Sequence, residues 1–393
     1  MELYNYQKEA VAKAATSLIL HKYFAMFCDM GTGKTVMALA TIPRLTDVAS
    51  VLIVAPKSII HQWRDTADKW NETLGLKEAA LSIEYTTYES LHKVSRNYYS
   101  MIILDESVRI KNSGTLLWKR LTKLTTKYKL ILNGCPIADS PMDIFNQFKW
   151  LDPQVFGFST KVFELRYAYD IQKLRQRIAD VSIVIALDDV MKEMVPSTLH
   201  SIELDAPVPV RFKASAAIED IPKIMTHPDT LLSKIIMFDR LLKEIDVRHN
   251  PAIVFTSYRK EVDVIKAYCV DANLRDLIIT GDTPASEREE YVNMFRNGEC
   301  DILILQIKCG QFGLNLETSH IAIYFSLMYS YTTFAQSKAR IYRIGQTKPC
   351  EYYCLIATTI DEAILNCLLN KESFTAEYFE ALKEKYIAKE QDK

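Results

Sequence analysis

The sequence predicts an α/β protein built on two parallel β-sheets, each covered by helices. Three observations support this prediction. The chain has 393 residues, which exceeds one ordinary hydrophobic core and fits two domains. Short apolar runs alternate along it with segments of helical pattern. The alternation is interrupted between about residues 150 and 230, which indicates a junction between two such domains.

The apolar runs are the predicted strands. Continuous runs of this length are typical of strands buried on both faces of a parallel sheet. In the first half of the chain they are residues 24–27, 51–56, 101–106 and 130–134. In the second half they are residues 252–257, 276–282, 301–306, 321–326 and, with less apolar character, 350–354.

Helical spacing appears between the runs, and residues 286–298 illustrate it. Ser286 is a candidate N-cap, Tyr291 and Phe295 share a face, and Gly298 is a candidate stop. The same reading predicts helices between the other strands of both sheets.

The interrupted region sets the predicted domain boundaries. It has a mostly helical pattern from about residue 150 and then becomes irregular, with prolines at positions 196, 207, 209, 222 and 228. We therefore predict an N-terminal domain at residues 1–195, a linker at 196–228 and a second domain at 229–393.

Composition and charge exclude several classes of protein. No stretch approaches the roughly 20 apolar residues of a membrane span, and the N-terminus lacks the pattern of a secretion signal. We therefore expect a cytoplasmic protein with no membrane partner. The eight cysteines include no C-x-x-C pair, which argues against structural zinc. The net charge of −1 means that a polyanion would have to be bound by a local patch.

The segment "FCDMGTGKTVMAL", residues 27–39, has the pattern of a phosphate-binding loop. Gly33, Lys34 and Thr35 fit the end of that pattern, but Cys28 occupies its first glycine position. The alternative is a glycine turn before a buried helix. We favour the loop because an apolar strand candidate precedes it and a helix follows.

In such a loop, each residue type has a defined task. Gly31 and Gly33 allow backbone N–H groups to surround an anion, Lys34 reaches the β- and γ-phosphates, and Thr35 ligates Mg²⁺. The predicted nucleotide-binding residues of this segment are Met30, Gly31, Thr32, Gly33, Lys34 and Thr35.

An acidic pair, Asp105 and Glu106, follows the apolar run at 101–104. In a nucleotide site Asp105 would hold Mg²⁺ through water, and Glu106 would orient and deprotonate the attacking water. Such a pair is common by chance, but its combination with the upstream loop favours an NTPase.

Two arginines in the second half could complete such a site. Arg340 and Arg343 are three residues apart, which predicts that they share a helical face, with Gln336 one turn earlier. Guanidinium groups offered to a γ-phosphate are an arginine-finger arrangement. The alternative is a basic surface helix.

These and further motifs, in this order, resemble the Swi/Snf family of double-stranded-DNA translocases in helicase superfamily two. Besides the loop, the most specific are "LDESVRIKN" at residues 104–112 and "QSKARIYRIGQ" at 336–346. The remaining matches are at residues 3–11, 52–63, 85–91, 130–153, 190–204 and 305–325. The chain departs from the family pattern at Ser107, Val108, Asn133, Cys135, Tyr329 and Ala339.

The resemblance implies two RecA-like lobes with a nucleotide cleft between them. It implies that Gln7 contacts adenine and that the catalytic residues are Lys34, Asp105, Glu106, Gln336, Arg340 and Arg343. The expected cofactors are ATP and Mg²⁺, with Thr35 and Asp105 as metal ligands.

The resemblance also implies a DNA partner, duplex or branched, held through its phosphates without regard to sequence. The family positions fall on Lys57, Ser58, Thr87, Tyr88, Lys111, Asn112, Ser257, Tyr258, Gly313 and Asn315. Each of these residues alone could be a helix cap or a surface residue. We interpret the four tryptophans as packing residues. We expect a monomer in a prokaryotic or viral-host cytoplasm.

Two other functions fit the same motifs. The protein could be a fork- or branch-remodelling helicase that separates strands, although we identify no separation wedge in the sequence. It could instead be a nucleotide-gated interaction module of a larger complex, with residues 156–185 as a docking surface. RNA is a less favoured substrate that phosphate tracking does not exclude.

Overall fold

The computed structural model describes residues 2–57, 59–76, 81–134, 141–167, 169–191, 195–204, 208, 215–307, 314, 316–343 and 345–391. The chain divides into two compact units, Met1–Met191 and Lys192–Lys393. Each unit contains one six-stranded sheet in which all paired strands are parallel.

The sheet of the first unit has the strand order β3-β2-β4-β5-β1-β6. Its strands are β1 Tyr23–Cys28, β2 Ser50–Ala55, β3 Ser82–Thr87, β4 Tyr98–Asp105, β5 Thr125–Asn133 and β6 Ser182–Ile185. Its helices are α1 Asn5–His21, α2 Lys34–Thr41, α3 Ile60–Leu74, α4 Leu116–Leu121, α5 Met142–Leu151, α6 Thr160–Tyr167, α7 Ile171–Ile178 and α8 Leu187–Met191.

Alternate side chains of the central strands enter two separate cores, one on each face of this sheet. Ile53 and Ile103 lie in one core, whereas Val54 and Leu104 lie in the other. Both faces are therefore dry, and this explains why β2 and β4 are continuously apolar.

The sheet of the second unit has the order β7-β12-β11-β8-β10-β9. Its strands are β7 Ser197–Glu203, β8 Ala252–Thr256, β9 Asp276–Ile279, β10 Ile302–Gln306, β11 Ile321–Tyr324 and β12 Cys350–Ile356. Its helices are α9 Ile221–Met225, α10 Pro228–Glu244, α11 Arg259–Asp271, α12 Ala285–Arg296, α13 Tyr331–Lys338, α14 Thr359–Leu369 and α15 Ala376–Gln391.

The predicted α/β class and every strand predicted from an apolar run are confirmed. The strands that the sequence did not predict are β3, β6 and β7, and each of them is the edge strand of its sheet. The alternating burial of β7 shows that this strand is partly open to solvent, which explains why it carries no continuous apolar run.

The predicted linker at 196–228 contains ordered elements of the second unit. β7 pairs with β12 over seven residues, from Ser197 to Glu203, so this stretch belongs to the second sheet. Pro222 and Pro228 stand in the first turns of α9 and α10, where a missing N–H costs nothing. These prolines therefore begin helices instead of marking irregular chain.

Helix α12 corrects one predicted cap and agrees with the predicted stop. The helix begins at Ala285 after Pro284, so Ser286 lies inside it and is not the N-cap. Gly298 follows the helix with a φ of 75°, a conformation that favours glycine.

None of the helices within the described residues combines the length and the apolar character that a bilayer crossing requires.

Candidate functional site

The loop between β1 and α2 has the backbone conformation that its glycines predict. Gly31 and Gly33 have φ values of 88° and 82°, in the left-handed region that a side chain disfavours. Cys28, by contrast, is the last residue of β1 and pairs with Ile185 of β6. That position therefore does not need a glycine, which explains the departure from the strict loop pattern.

Side-chain contacts anchor this loop on both sides. The Asp29 carboxylate accepts a hydrogen bond from the Leu187 N–H at 2.9 Å, and the Thr32 hydroxyl donates to the Asp29 carbonyl at 2.7 Å. The loop shape is thus fixed by contacts within the first unit.

Gln7 connects α1 to the same loop. Its buried side-chain amide donates to the Thr32 carbonyl at 3.0 Å and accepts from the Tyr4 N–H at 3.1 Å. The Tyr6 hydroxyl donates to the same Thr32 carbonyl at 2.8 Å. Gln7 therefore lies at the loop, as its predicted role requires, and its contact with adenine stays a prediction.

Three ionisable side chains meet where β4 ends and α2 begins. The Lys34 ammonium lies 3.1 Å from a Glu106 carboxylate oxygen. Burial alone would lower the pKa of Lys34, but Glu106 and Asp105 outweigh it, so its pKa is raised and the group is a cation. Glu106 has a φ of 51°, so the chain turns sharply directly after β4.

Asp105 is held from several directions. Its carboxylate accepts a 2.8 Å hydrogen bond from the indole N–H of Trp63 and a 2.9 Å bond from the Glu106 N–H. Its carbonyl accepts a 2.6 Å bond from the Tyr88 hydroxyl. Burial raises the pKa of Asp105, and the nearby Lys34 opposes this shift.

Two interpretations made from the sequence need correction here. Trp63 packs in the core as predicted, but it also bonds Asp105, because a buried indole N–H needs an acceptor. That requirement was the signal that could have identified it. Tyr88, predicted to contact DNA, is only 3% exposed, and its hydroxyl is bonded to Asp105.

The residues present fit a magnesium nucleotide. Mg²⁺ takes oxygen ligands, and a carboxylate and a hydroxyl are available in Asp105 and in Thr35, which is half-buried in the first turn of α2. Lys34 supplies the cation that phosphate oxygens need, and Met30 lies half-buried in the loop.

The other DNA candidates of the first unit follow its strands. Lys57 is exposed after β2, and Thr87 ends β3, where its hydroxyl accepts from the Ser90 N–H at 3.2 Å. Lys111 forms a 3.2 Å ion pair with Asp143, and Asn112 beside it is exposed. Ser58 lies outside the described residues.

In the second unit, the backbone of two DNA candidates is already bonded. The N–H groups of Ser257 and Tyr258 donate to one Glu261 oxygen at 3.0 and 3.1 Å. A phosphate could bind these amides only by displacing the Glu261 carboxylate. The Tyr258 hydroxyl bonds that of Tyr329 at 2.8 Å. Gly313 and Asn315 lie outside the described residues.

The prediction that Arg340 and Arg343 share a helical face is wrong. Helix α13 carries the half-buried Gln336 but ends at Lys338, before both arginines. The Arg340 carbonyl accepts from the Leu316 N–H at 3.2 Å, so another segment uses a group that a longer helix would need.

Gln346 fixes the chain beyond the helix. Its buried amide nitrogen donates to the carbonyls of Glu317, Ser319 and Ile341 at 3.1, 2.8 and 3.2 Å. Gly345, at a φ of 103°, makes the turn before it. Burial lowers the pKa of Arg343, and the charge of Glu317 opposes this shift.

Comparison with known proteins identifies two domains. The SNF2-related domain matches residues 6–210, and the helicase conserved C-terminal domain matches residues 233–345.

Individual proteins match with low identity over nearly the whole chain. The DNA annealing helicase and endonuclease ZRANB3 of Bos taurus is 24% identical over 426 residues, which covers 93% of this chain and 40% of that protein. The SWI/SNF-related matrix-associated actin-dependent regulator of chromatin subfamily A-like protein 1 of Drosophila melanogaster is 25% identical over 426 residues, covering 94% and 55%. The chain thus spans less than two thirds of either relative.

Among solved structures, the chain is similar to the Sulfolobus solfataricus SWI2/SNF2 ATPase core in complex with dsDNA. The identity is 21% and the TM-score 0.46, with 94% of this chain and 91% of that chain covered. The SNF2-related match alone covers more than half of the chain, and the motifs that suggested the family lie in or beside the two matched domains. The chain therefore belongs to the SNF2-related family and carries a helicase C-terminal domain after its SNF2-related domain.

Proposed function

We propose that this protein is a DNA-dependent ATPase that uses ATP hydrolysis to move along DNA. The observation that carries the proposal is the cluster of Lys34, Asp105 and Glu106 beside a glycine loop, at the carboxyl edge of a parallel sheet. Ligands of open parallel sheets bind at this edge. Membership of the SNF2-related family supports the same function.

The residues of the first unit have distinct roles in this proposal. Lys34 binds the terminal phosphates, Gln7 contacts adenine, and Thr35 and Asp105 hold Mg²⁺, which neutralises phosphate charge when bound. Glu106 orients the attacking water and accepts its proton. The ion pair between Lys34 and Glu106 supports these assignments, because it brings the phosphate-binding cation and the base within 3.1 Å.

Three residues of the second unit complete the proposal. Gln336, Arg340 and Arg343 take part in hydrolysis, the arginines by stabilising charge on the γ-phosphate. Arg340 is buried, with 4% of its surface exposed, and Arg343 is half-buried, so neither guanidinium group is a freely exposed surface charge.

The proposed partner is DNA, bound through its phosphates. The relatives of this chain include the DNA annealing helicase and endonuclease ZRANB3, which supports DNA over RNA as the partner. Lys57, Lys111 and Asn112 are accessible for phosphate contacts, whereas Tyr88 is not. The expected monomeric state and cytoplasmic location stay predictions within this proposal.

ATP turnover measured with matched duplex, single-stranded and forked DNA, and with duplex RNA, tests this function. We expect duplex or forked DNA to stimulate turnover and Lys34→Ala to reduce it by about 100-fold or more, because charge stabilisation at the phosphates is lost. Arg343→Ala should also reduce it.

Each other result has a definite meaning. No stimulation by any DNA would contradict the motor and favour a nucleotide-gated interaction module. Equal stimulation by RNA would contradict the substrate class. Displacement of a labelled strand from the fork would instead support the strand-separating alternative, which the name of the helicase relative favours.

A further inference from the structure

The carboxylate of Asp105 is oriented by two N–H donors on different segments. One carboxylate oxygen accepts from the Trp63 indole at 2.8 Å, and the other accepts from the Glu106 backbone at 2.9 Å. Two bonds to two different oxygens fix the plane of the carboxylate as well as its position.

Trp63 is suited to this task by its packing. The side chain is 1% exposed and lies in the core between the sheet and the helices α2 and α3. An indole has one N–H donor and no acceptor, so a packed ring can point that donor in only one direction. A donor bonded to a carboxylate also makes a stronger hydrogen bond than a neutral pair.

We propose that Trp63 is a positioning residue for magnesium binding: its indole N–H holds the Asp105 carboxylate in the orientation that presents its free lone pairs to Mg²⁺. This inference rests on the proposed function, because it assigns the support of the same nucleotide site. Removing a partner that orients a metal ligand typically lowers metal affinity by about 10–100-fold.

Trp63→Phe tests the inference, because phenylalanine keeps an aromatic ring but lacks the N–H. The full chain is titrated with ADP in the presence and absence of Mg²⁺ by calorimetry. We expect the affinity gained from Mg²⁺ to fall by roughly 10-fold or more, with the metal-free affinity for ADP unchanged. The matched control is Trp150→Phe, the same change at another buried tryptophan of the first unit, which should keep the full magnesium effect.

The possible failures are distinguishable. If the wild-type chain binds no ADP under either condition, the proposed function fails and the inference fails with it. If the wild-type chain shows a magnesium effect and Trp63→Phe keeps it, only the inference is overturned. Equal losses in Trp63→Phe and Trp150→Phe would likewise overturn it, because they would reduce Trp63 to a packing role.

A second measurement needs no substitution at position 63. In protein labelled with ¹⁵N-tryptophan, each of the four indole N–H groups gives one NMR signal, and Trp→Phe changes at the other three positions assign them. We expect the Trp63 signal to shift when ADP and Mg²⁺ are added together and to shift much less with ADP alone. Identical spectra under the two conditions would contradict the inference.

Discussion

Each unit of this protein buries a cluster of opposite charges, and the two clusters differ in access. In the first unit, the side chains of Lys34 and Glu106 are 10% and 16% exposed. In the second unit, Lys234 and Asp361 form a 2.8 Å ion pair with both side chains 0% exposed. Both clusters are isolated from bulk water to a degree that makes unpaired charge costly.

The partners of the two clusters explain the difference. In the second unit, the Asp361 carboxylate accepts from the backbone N–H groups of Ala357 and Thr358, which caps α14. Glu261 similarly bonds the N–H groups of Ser257 and Tyr258 before α11. These charges hold helix ends in place, so they form a scaffold.

In the first unit, Lys34 and Glu106 pair with each other and keep a path to solvent. A ligand can therefore exchange with either partner without entering a sealed core. The comparison shows that burial of charge alone does not identify a functional site. The accessible charge pair next to a loop with glycine backbone geometry is the better candidate for a functional site.

The largest effect expected from this comparison is on catalysis in the first unit. Glu106→Gln removes the proposed base but keeps its shape, so we expect DNA-stimulated ATP turnover to fall by roughly 100-fold or more. Thermal unfolding should change little, because the glutamine carbonyl can still accept from Lys34 and Asp105 still offsets the charge of Lys34. The matched control is Glu89→Gln, an exposed residue paired with Arg109, which should leave turnover near wild type. If turnover falls by less than tenfold in Glu106→Gln, Glu106 is not the general base.

The next largest effect is on stability in the second unit. Lys234→Met leaves the Asp361 charge buried without its cation, so we expect the free energy of unfolding to fall by about 3–5 kcal/mol. Urea denaturation followed by circular dichroism measures this. Adding Asp361→Asn should recover part of the loss, because the asparagine oxygen can still cap α14 without a charge. Equal stability of Lys234→Met and wild type would show that this pair is no scaffold.

The smallest effect concerns a more exposed pair, Arg275 and Asp301, which join at 2.6 Å. Burial would raise the pKa of Asp301, but hydrogen bonds from the Arg275 side chain and backbone outweigh it and hold that pKa below its ordinary value. The folded state therefore gains stability from the ionised form at pH above the unfolded value of about 3.9 and loses it as the pH falls further.

Asp301→Asn should consequently lower the free energy of unfolding slightly at neutral pH. It should also reduce the loss of stability between pH 4 and pH 3. Thermal unfolding across that range checks this expectation. An unchanged acid dependence in the variant would show that Arg275 and Asp301 do not contribute to it.

Much of the candidate site was predictable because its chemistry is local in the sequence. A strongly apolar strand directly precedes both parts of the site, the loop with Gly31, Gly33 and Lys34 and the pair Asp105–Glu106. The sequence pattern that predicts the strand therefore also locates the site residues. The edge strands β3 and β7 were not predictable in this way, because partial exposure removes the apolar run that reveals a strand, whereas the edge strand β9 keeps such a run and was predicted.

The sequence by itself determined the alternation of buried strands and helices, the glycine loop and the acidic pair, because backbone preference and burial are visible in neighbouring residues. Only the tertiary structure decided which distant group satisfies each polar atom. It paired Trp63 with Asp105 across 42 positions and gave the Arg340 carbonyl to the Leu316 N–H. A buried donor or acceptor must find a partner, but nothing local in the chain specifies which one.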